Sequence, residues 1–287
     1  MSAINRLCII GVGLIGGSLA LALKQAGAVG SVIGVGRGLA NLQAAVRLGV
    51  IDEFSHEPAI GVRGADMVVL AVPVGTTAQV CEQIRDHLSP SAVLTDVGSV
   101  KGEVVAQVKS AFGEIPANFV PGHPIAGTEK SGAAAAFAEL YRDRKVLLTP
   151  LTETSEAALK QVEQMWQAAG AVVETMEVEH HDAVLAVTSH LPHMLAFGLV
   201  DSLARMEASD EIFRYAAGGF RDFTRIASSD PVMWRDICIH NKRALLAAME
   251  RFESELAELR EAIAGGDADR LTTIFSRAKA ARDRFSG

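Results

Sequence analysis

The chain has 287 residues, 49% hydrophobic and 21% charged, with a net charge of −7 at pH 7. That gives one large or two ordinary domains with a sizeable core, and it argues against disorder and against a basic nucleic-acid-binding surface, while leaving room for a local pocket for an anion. Cys8, Cys81 and Cys238 lie far apart without a CxxC pair, which fits a reducing compartment and neither disulfides nor a thiolate metal site. No charge-free apolar stretch reaches about 18 residues, and no basic segment with an apolar core opens the chain. A cytoplasmic protein with no membrane or nucleic-acid partner is expected.

The apolar run at residues 7–10 reads as a buried parallel strand. It passes straight into Gly11-Val12-Gly13-Leu14-Ile15-Gly16-Gly17-Ser18, and residues 18–26 read as a helix closed by Gly27. This is GxGxxG between a strand and a helix, the context of dinucleotide binding. Gly11 permits the tight turn, Gly13 lets a pyrophosphate approach the backbone, and Gly16 lets helix and strand pack closely. Leu14 and Ile15 belong to the same cofactor-binding loop. The next strand, 31–35, ends at Gly36-Arg37-Gly38. An acidic residue about 20 residues past the glycines would grip an adenosine ribose there. Arg37 is either a solvated turn residue or the partner of a 2′-phosphate. The expected cofactor is NADP, with NAD possible.

Residues 39–48 read as a helix, with Asp52 and Glu53 in the loop after it. The strand at 67–72 closes at Pro73, and Val72 and Pro73 are expected to line the cofactor site at the carboxyl edge of the sheet. A helix at 77–88 and a strand at 92–95 lead to Asp96-Val97-Gly98-Ser99-Val100-Lys101. Ser99 lies at the same edge and is also placed to N-cap a helix over 100–112. A short strand at 118–120 delivers Gly122-His123-Pro124-Ile125-Ala126-Gly127-Thr128-Glu129. Two glycines and a proline make a poor helix and a poor strand, so a rigid loop is expected. It either holds an imidazole that exchanges protons near neutrality or is a tight turn with a surface histidine. Strands at 145–149 and 172–175 flank a helix at 156–169. Everything beyond reads as helical, at 180–206, 210–217, 231–263 and 267–285, with residues 218–225 interrupting. The expectation is an α/β fold: a Rossmann-type doubly wound parallel sheet over 1–177, then an all-α domain over 178–287.

In the helical half, His190 and His193 stand three apart and share a helix face. No third ligand or HExxH pattern supports a metal, and His180 and His181 lie about three turns away, too far to converge easily. The pair suits a core, an interface or polar contacts to a substrate. Arg221 and Arg225 flank Asp222; a buried arginine needs an anion, which is either Asp222 or a substrate carboxylate. Trp234 is a core residue or a ligand wall. Apolar residues including Leu245, Leu256, Ile263 and Phe275 recur at helical spacing, more than a small domain's own core needs, so a homodimer is expected.

The glycine loop, Asp96-x-x-Ser99-x-Lys101, Gly122-His123-Pro124-Ile125-Ala126-Gly127, Ser189-His190-Leu191-Pro192-His193 and Gly219-Phe220-Arg221-Asp222-Phe223-Thr224-Arg225 together resemble the prephenate/arogenate (cyclohexadienyl) dehydrogenases of tyrosine biosynthesis. The resemblance covers essentially the whole chain. It implies metal-free oxidative decarboxylation of a cyclohexadienol carboxylate with hydride transfer to NADP or NAD. It implies His123 as the catalytic proton acceptor and Ser99 as the residue bonding both that histidine and the substrate hydroxyl. By the same resemblance Arg225 holds the ring carboxylate, His193 with His190 receives the side chain, and Glu129 gates the entrance. Trp234 is carried with the substrate pocket, and the helical domains interlock as a dimer. The stand-alone catalytic form is expected, without a fused chorismate mutase segment. Two other readings stay open: a β-hydroxyacid or imine dehydrogenase relying on a helical lysine such as Lys242, and a non-catalytic dinucleotide sensor.

Overall fold

The computed structural model describes residues 4–128 and 130–285. It comprises two compact units, Met1–Lys242 and Arg243–Gly287. The first begins with β1 (Ile4–Ile10), α1 (Leu14–Gln25), β2 (Val29–Val35), α2 (Leu39–Arg47), β3 (Glu53–Ser55), α3 (Pro58–Gly61), β4 (Met67–Leu70), α4 (Thr77–Ile84), β5 (Val93–Asp96), α5 (Lys101–Phe112) and β6 (Phe119–Val120). The six strands form one sheet in the order β3-β2-β1-β4-β5-β6, and every pairing is parallel. The chain starts in the middle, works out to one edge and crosses over to the other, the doubly wound order of dinucleotide-binding sheets.

Strand periodicity explains why these strands are apolar throughout. Leu7, Ile9, Val32, Met67, Val69 and Val93 enter the core on one face of the sheet. Their alternates Cys8, Ile10, Ile33, Val35, Val68 and Leu94 enter the core on the other. A sheet covered on both faces needs both sets to be hydrophobic. Burial pushes the Cys8 and Cys81 thiols up to about 12, so both are inert core residues.

The glycine loop feeds its helix at Leu14, four residues earlier than expected. Glu53 lies in β3 and not in a loop: the Asp52 carboxylate accepts the Val32 N–H at 2.7 Å and pairs with Lys24 at 2.7 Å, fixing the chain beside β2. Three polar-rich residues leave no periodicity to read.

A second sheet of three strands follows, made of β7 (Gly122–Pro124), β8 (Lys145–Leu148) and, after α6 (Glu156–Ala168), β9 (Val172–Thr175). The expected His123 loop is therefore a strand. β7 runs antiparallel to β8 with His123 opposite Leu147. Pro124 is tolerated because β7 is the outer strand of this sheet, where a missing N–H costs no ladder bond.

The remaining elements are helical: α7 (Val178–Leu185), a π-helical turn at Ala186–His190, α8 (Leu191–Ala204), α9 (Ser209–Arg214), α10 (Gly218–Thr224) and α11 (Pro231–His240). Residues 218–225, expected to interrupt the helices, form α10 and the start of a 3-10 turn. Both glycines fall in the first turn of α10, where they disturb no established ladder. The run Val178–Ala204 is, by length and composition alone, apolar enough to cross a membrane, contrary to expectation. Its buried histidines, His181 and His190, are instead bonded to polar groups of the protein.

In the second unit α12 (Lys242–Gly265) and α13 (Ala268–Phe285) meet at Gly266, which has φ +64°. Arg270 pairs with Glu258 at 3.4 Å and Arg277 with Glu255 at 3.9 Å. Leu256, Ile263 and Phe275 are exposed on this pair of helices.

Gly11 is the tightest constraint in the first sheet. Its φ is +105°, and a Cβ there would lie 2.1 Å from the Ala71 carbonyl oxygen. Gly11→Ala is expected to cost about 2–4 kcal/mol of stability, through strain at φ above zero and the clash together. Urea unfolding checks this; a wild-type midpoint and slope would show that the turn relaxes freely.

Candidate active site

The loop from β1 to α1 is built to admit a phosphate. Nothing lies within 4 Å of a Cβ placed on Gly13, whereas a Cβ on Gly16 would meet the Gly11 carbonyl oxygen at 2.6 Å and Ile9 at 2.7 Å. Gly13 thus keeps the backbone open, and Gly16 lets α1 lie against β1. Gly13 caps α1 without a side-chain hydrogen bond, and the first turn holds no acidic residue. The N–H groups of Leu14, Ile15 and Gly16 therefore stand at a helix start that favours an anion. The cradle is pinned from behind. Tyr141 Oη donates to the Ile15 carbonyl at 2.5 Å, and Asn41 donates to the Val12 carbonyl at 2.7 Å while accepting the Ala133 N–H at 2.9 Å.

The same edge carries the other expected cofactor residues. Val72 and Pro73 follow β4, and the Val72 nitrogen lies 3.2 Å from the Cβ position on Gly11. Arg37 is exposed two residues beyond β2, next to Gly36, whose carbonyl accepts a 2.9 Å bond from His56 Nδ1. These residues fit a dinucleotide: a phosphate cradle of open backbone, with a cation at the end of β2.

His123 is carried to this edge by a buried ion pair. Asp96 at the end of β5 pairs with Lys101 at the start of α5, both almost wholly buried. Lys101 Nζ also donates to the Gly122 carbonyl at 2.6 Å, and Asp96 accepts the N–H groups of Gly122 at 3.1 Å and Gly98 at 2.7 Å. Both peptide groups flanking Gly122 are held, and His123 is the next residue. Ser99 is partly buried on the loop between Asp96 and Lys101. It does not N-cap α5, as expected from sequence: Val100 is the cap residue and uses no side chain. The Asp182 carboxylate does that work from α7, accepting the N–H groups of Lys101 and Gly102, each at 2.8 Å.

Asp182 begins a chain of contacts that ends at His123. Its Oδ1 lies 2.8 Å from His181 Nδ1, and His181 Nε2 lies 2.9 Å from His123 Nδ1. Burial drives the His123 pKa well below 6.5; the Lys101 ammonium acts the same way, as would a proton on His181 or His190. His181 is also lowered, chiefly by burial and against the pull of Asp182. Burial acts to raise Asp182, but bonds from His181, Gly102 and Lys101 outweigh it and hold the carboxyl below the usual range. Two neutral imidazoles thus sit beside one carboxylate.

The residues of the helical half expected to meet a substrate lie beside this group. The π-helical turn puts His190 and His193 around Trp234: His193 stacks on the indole at 3.7 Å between centroids, and His190 meets it edge-on at 6.1 Å. His193 Nδ1 donates to the Ser189 carbonyl at 2.8 Å, leaving Nε2 as an acceptor. Its pKa is lowered by burial first, with Arg225 adding to the shift, so Arg225 lies within electrostatic reach. His190 is buried, with Asn241 Nδ2 donating to its Nδ1 at 3.0 Å, and burial pushes it down to about 4. Trp234 packs with Val100 and Ile237, tying α11 to the loop that carries Ser99. Glu129 lies outside the described residues.

Sequence reasoning missed His181, Asp182 and Asn241. Spacing along α7 and α8 separated His181 from the rest, but its partner is on another element. Only the polarity of His181-Asp182, at the head of the apolar run that starts at Ala183, offered a signal.

A backbone cradle for a dinucleotide on one sheet edge, with a buried neutral histidine on the same edge, defines an NAD(P)-dependent dehydrogenase. Residues 19–175 match the family model of the prephenate dehydrogenase nucleotide-binding domain, and residues 177–277 that of the prephenate dehydrogenase dimerization domain. The chain is 38% identical to the cyclohexadienyl dehydrogenase of Zymomonas mobilis, over 98% of this chain and 96% of that one. It is 38% identical to the prephenate dehydrogenase of Bacillus subtilis, over 97% of this chain and 76% of that one. The crystal structure of Aquifex aeolicus prephenate dehydrogenase, in complex with hydroxyphenyl propionate and NAD+, is 41% identical and superposes with a TM-score of 0.91 over 98% of both chains. The chain belongs to the prephenate dehydrogenase family, which displaces the lysine-dependent and non-catalytic readings.

The buried histidines make stability depend on pH. His123, His181 and His190 refuse protons in the fold that they bind near pH 6.5 when unfolded. The unfolded state therefore binds more protons below that pH, and stability falls as pH drops from 6.5 towards about 4. Urea unfolding at a series of pH values checks this; a flat profile across that window would mean that the histidines are hydrated in the fold.

Proposed function

We propose that the enzyme oxidatively decarboxylates prephenate, arogenate or both, with NADP preferred, giving 4-hydroxyphenylpyruvate or tyrosine. The observation that carries this reading is His123, buried, neutral and fixed at the edge where the glycine loop opens. A bound nicotinamide dinucleotide supplies the hydride acceptor. His123 takes the hydroxyl proton as the carbinol carbon is oxidised. Ser99, on the adjoining loop, steers that hydroxyl and the imidazole. The bond from ring to carboxylate then breaks, carbon dioxide departs, the bonding pair stays in the ring and completes its aromaticity, and the ring oxygen takes a proton back to give the phenol.

Arg225 binds the ring carboxylate as a guanidinium fork, which pairs planar anions in two hydrogen bonds. His193 presents its Nε2 to the side chain, with Trp234 behind the ring and His190 supporting this wall. A neutral His193 suits a keto group, which favours prephenate. Glu129 gates the entrance on the strength of the family resemblance alone. Arg37, with no carboxylate beside it in sequence, favours the 2′-phosphate of NADP. NAD remains the second cofactor, since the Aquifex relative holds NAD+.

A cytoplasmic homodimer is part of the same reading. Residues 177–277 match the family's dimerization domain. Leu256, Ile263 and Phe275 are exposed on α12 and α13, and C2 pairing is the common way to bury such residues.

Steady-state rates with prephenate and arogenate, each with NADP and NAD, test the whole reading; no turnover of either substrate would sink it. His123→Asn is expected to keep cofactor affinity and to lower kcat by about a hundredfold or more, the scale of a lost general base. In the wild type the acid limb of kcat should lie well below pH 6.5, because the lowered pKa keeps His123 basic down to that range. A variant within a few-fold of wild type would remove His123 from the chemistry.

Arg37→Ala should erode the advantage of NADP over NAD in kcat/KM and leave the NAD value nearly unchanged. Equal use of both cofactors by the wild type would leave Arg37 as a plain turn residue.

A further inference from the structure

We infer that His181 is a positioning residue: its Nε2 accepts the Nδ1–H of His123, so His123 is held in the tautomer that leaves Nε2 bare for the substrate hydroxyl. This rests on His123 being the base, and it assigns which nitrogen acts and what selects it.

Two backbone N–H groups, those of Lys101 and Gly102, point at the Asp182 carboxylate at 2.8 Å each. Donors of this kind at a helix start favour the ionised carboxyl. An ionised carboxylate only accepts, so the 2.8 Å contact with His181 Nδ1 requires a proton on that nitrogen. A neutral imidazole carries one donor and one acceptor, which makes His181 Nε2 the acceptor. His123 Nδ1 lies 2.9 Å from it, and two lone pairs cannot face each other at that distance. His123 Nδ1 is therefore the donor, and its Nε2 is left unprotonated.

The neighbours of the pair offer no competing arrangement. Lys101 is committed to Asp96 and the Gly122 carbonyl. Asn241 Nδ2 donates to the Asp182 carbonyl at 2.9 Å, which fixes the amide's orientation and makes His190 Nδ1 an acceptor. The charged and titratable groups acting on His123 are His181, Lys101 and His190, and those acting on His181 are Asp182, Lys101 and Asp96. When His123 takes the hydroxyl proton on Nε2, its Nδ1–H bond to His181 becomes charge-assisted, with Asp182 one imidazole further on. The logic is that of a carboxylate orienting a catalytic histidine, with a second imidazole inserted between them.

The experiment uses the full chain labelled with 15N-histidine, together with kinetics of His181→Leu and His181→Gln. In the wild type at neutral pH, His123 should show a protonated Nδ1 and a bare Nε2. His181→Leu should lose that fixed tautomer and lower kcat at least about tenfold, less than the roughly hundredfold or more of losing the base itself, with the KM for cofactor unchanged. His181→Gln, whose Oε1 keeps an acceptor near the place of Nε2, should retain the tautomer and most of kcat. A proton on Nε2 in the wild type overturns the inference. So does a Leu variant with tautomer and kcat unchanged, or a Gln variant as impaired as Leu. Should the Leu variant fail to fold, the wild-type spectrum and the Gln variant still decide. His123→Asn tests the base itself and carries no information on the tautomer, so the two failures are read separately.

Discussion

The buried pair between Asp96 and Lys101 is the interaction on which the site depends. It joins the end of β5 to the start of α5, and through the two peptide groups of Gly122 it reaches the second sheet. Two buried charges are costly to desolvate, and the pair is retained only because each also satisfies backbone groups. What it provides is position. It fixes the residue before His123 on both sides, so the imidazole inherits the rigidity of the six-stranded sheet although it stands on the edge strand of a smaller one.

Helix starts are used twice, for opposite purposes. At α1 the first turn is left bare, with glycines in place of capping side chains, so that its N–H groups remain available to a ligand. At α5 the corresponding groups are taken by Asp182 from α7. The same electrostatic feature thus makes a ligand cradle in one place and a structural anchor in the other. The anchor also bonds His181, so the helical segment that follows the second sheet is registered against His123 by a single carboxylate. After the π-helical turn in the same segment, His190 and His193 both meet the Trp234 ring.

Local sequence determined the parallel sheet, the glycine loop and the series of helices after residue 178. Each of these rests on signals carried within a few residues: apolar runs for strands buried on both faces, a GxGxxG turn between strand and helix, and three- to four-residue periodicity. It also marked His123, His193, Arg225 and Trp234 as candidates by type and motif. Tertiary structure decided the rest, because the information lay in pairs far apart in the chain. His123 became part of a strand only because β8, more than twenty residues on, offered an edge for it. Ser99 lost the cap of α5 to a carboxylate 81 residues from Lys101. His181, set aside on spacing along its own helix, meets His123 across 58 residues. Periodicity reports which face of an element is buried; it does not report what that face is buried against, and the polar contacts that tune this histidine are of the second kind.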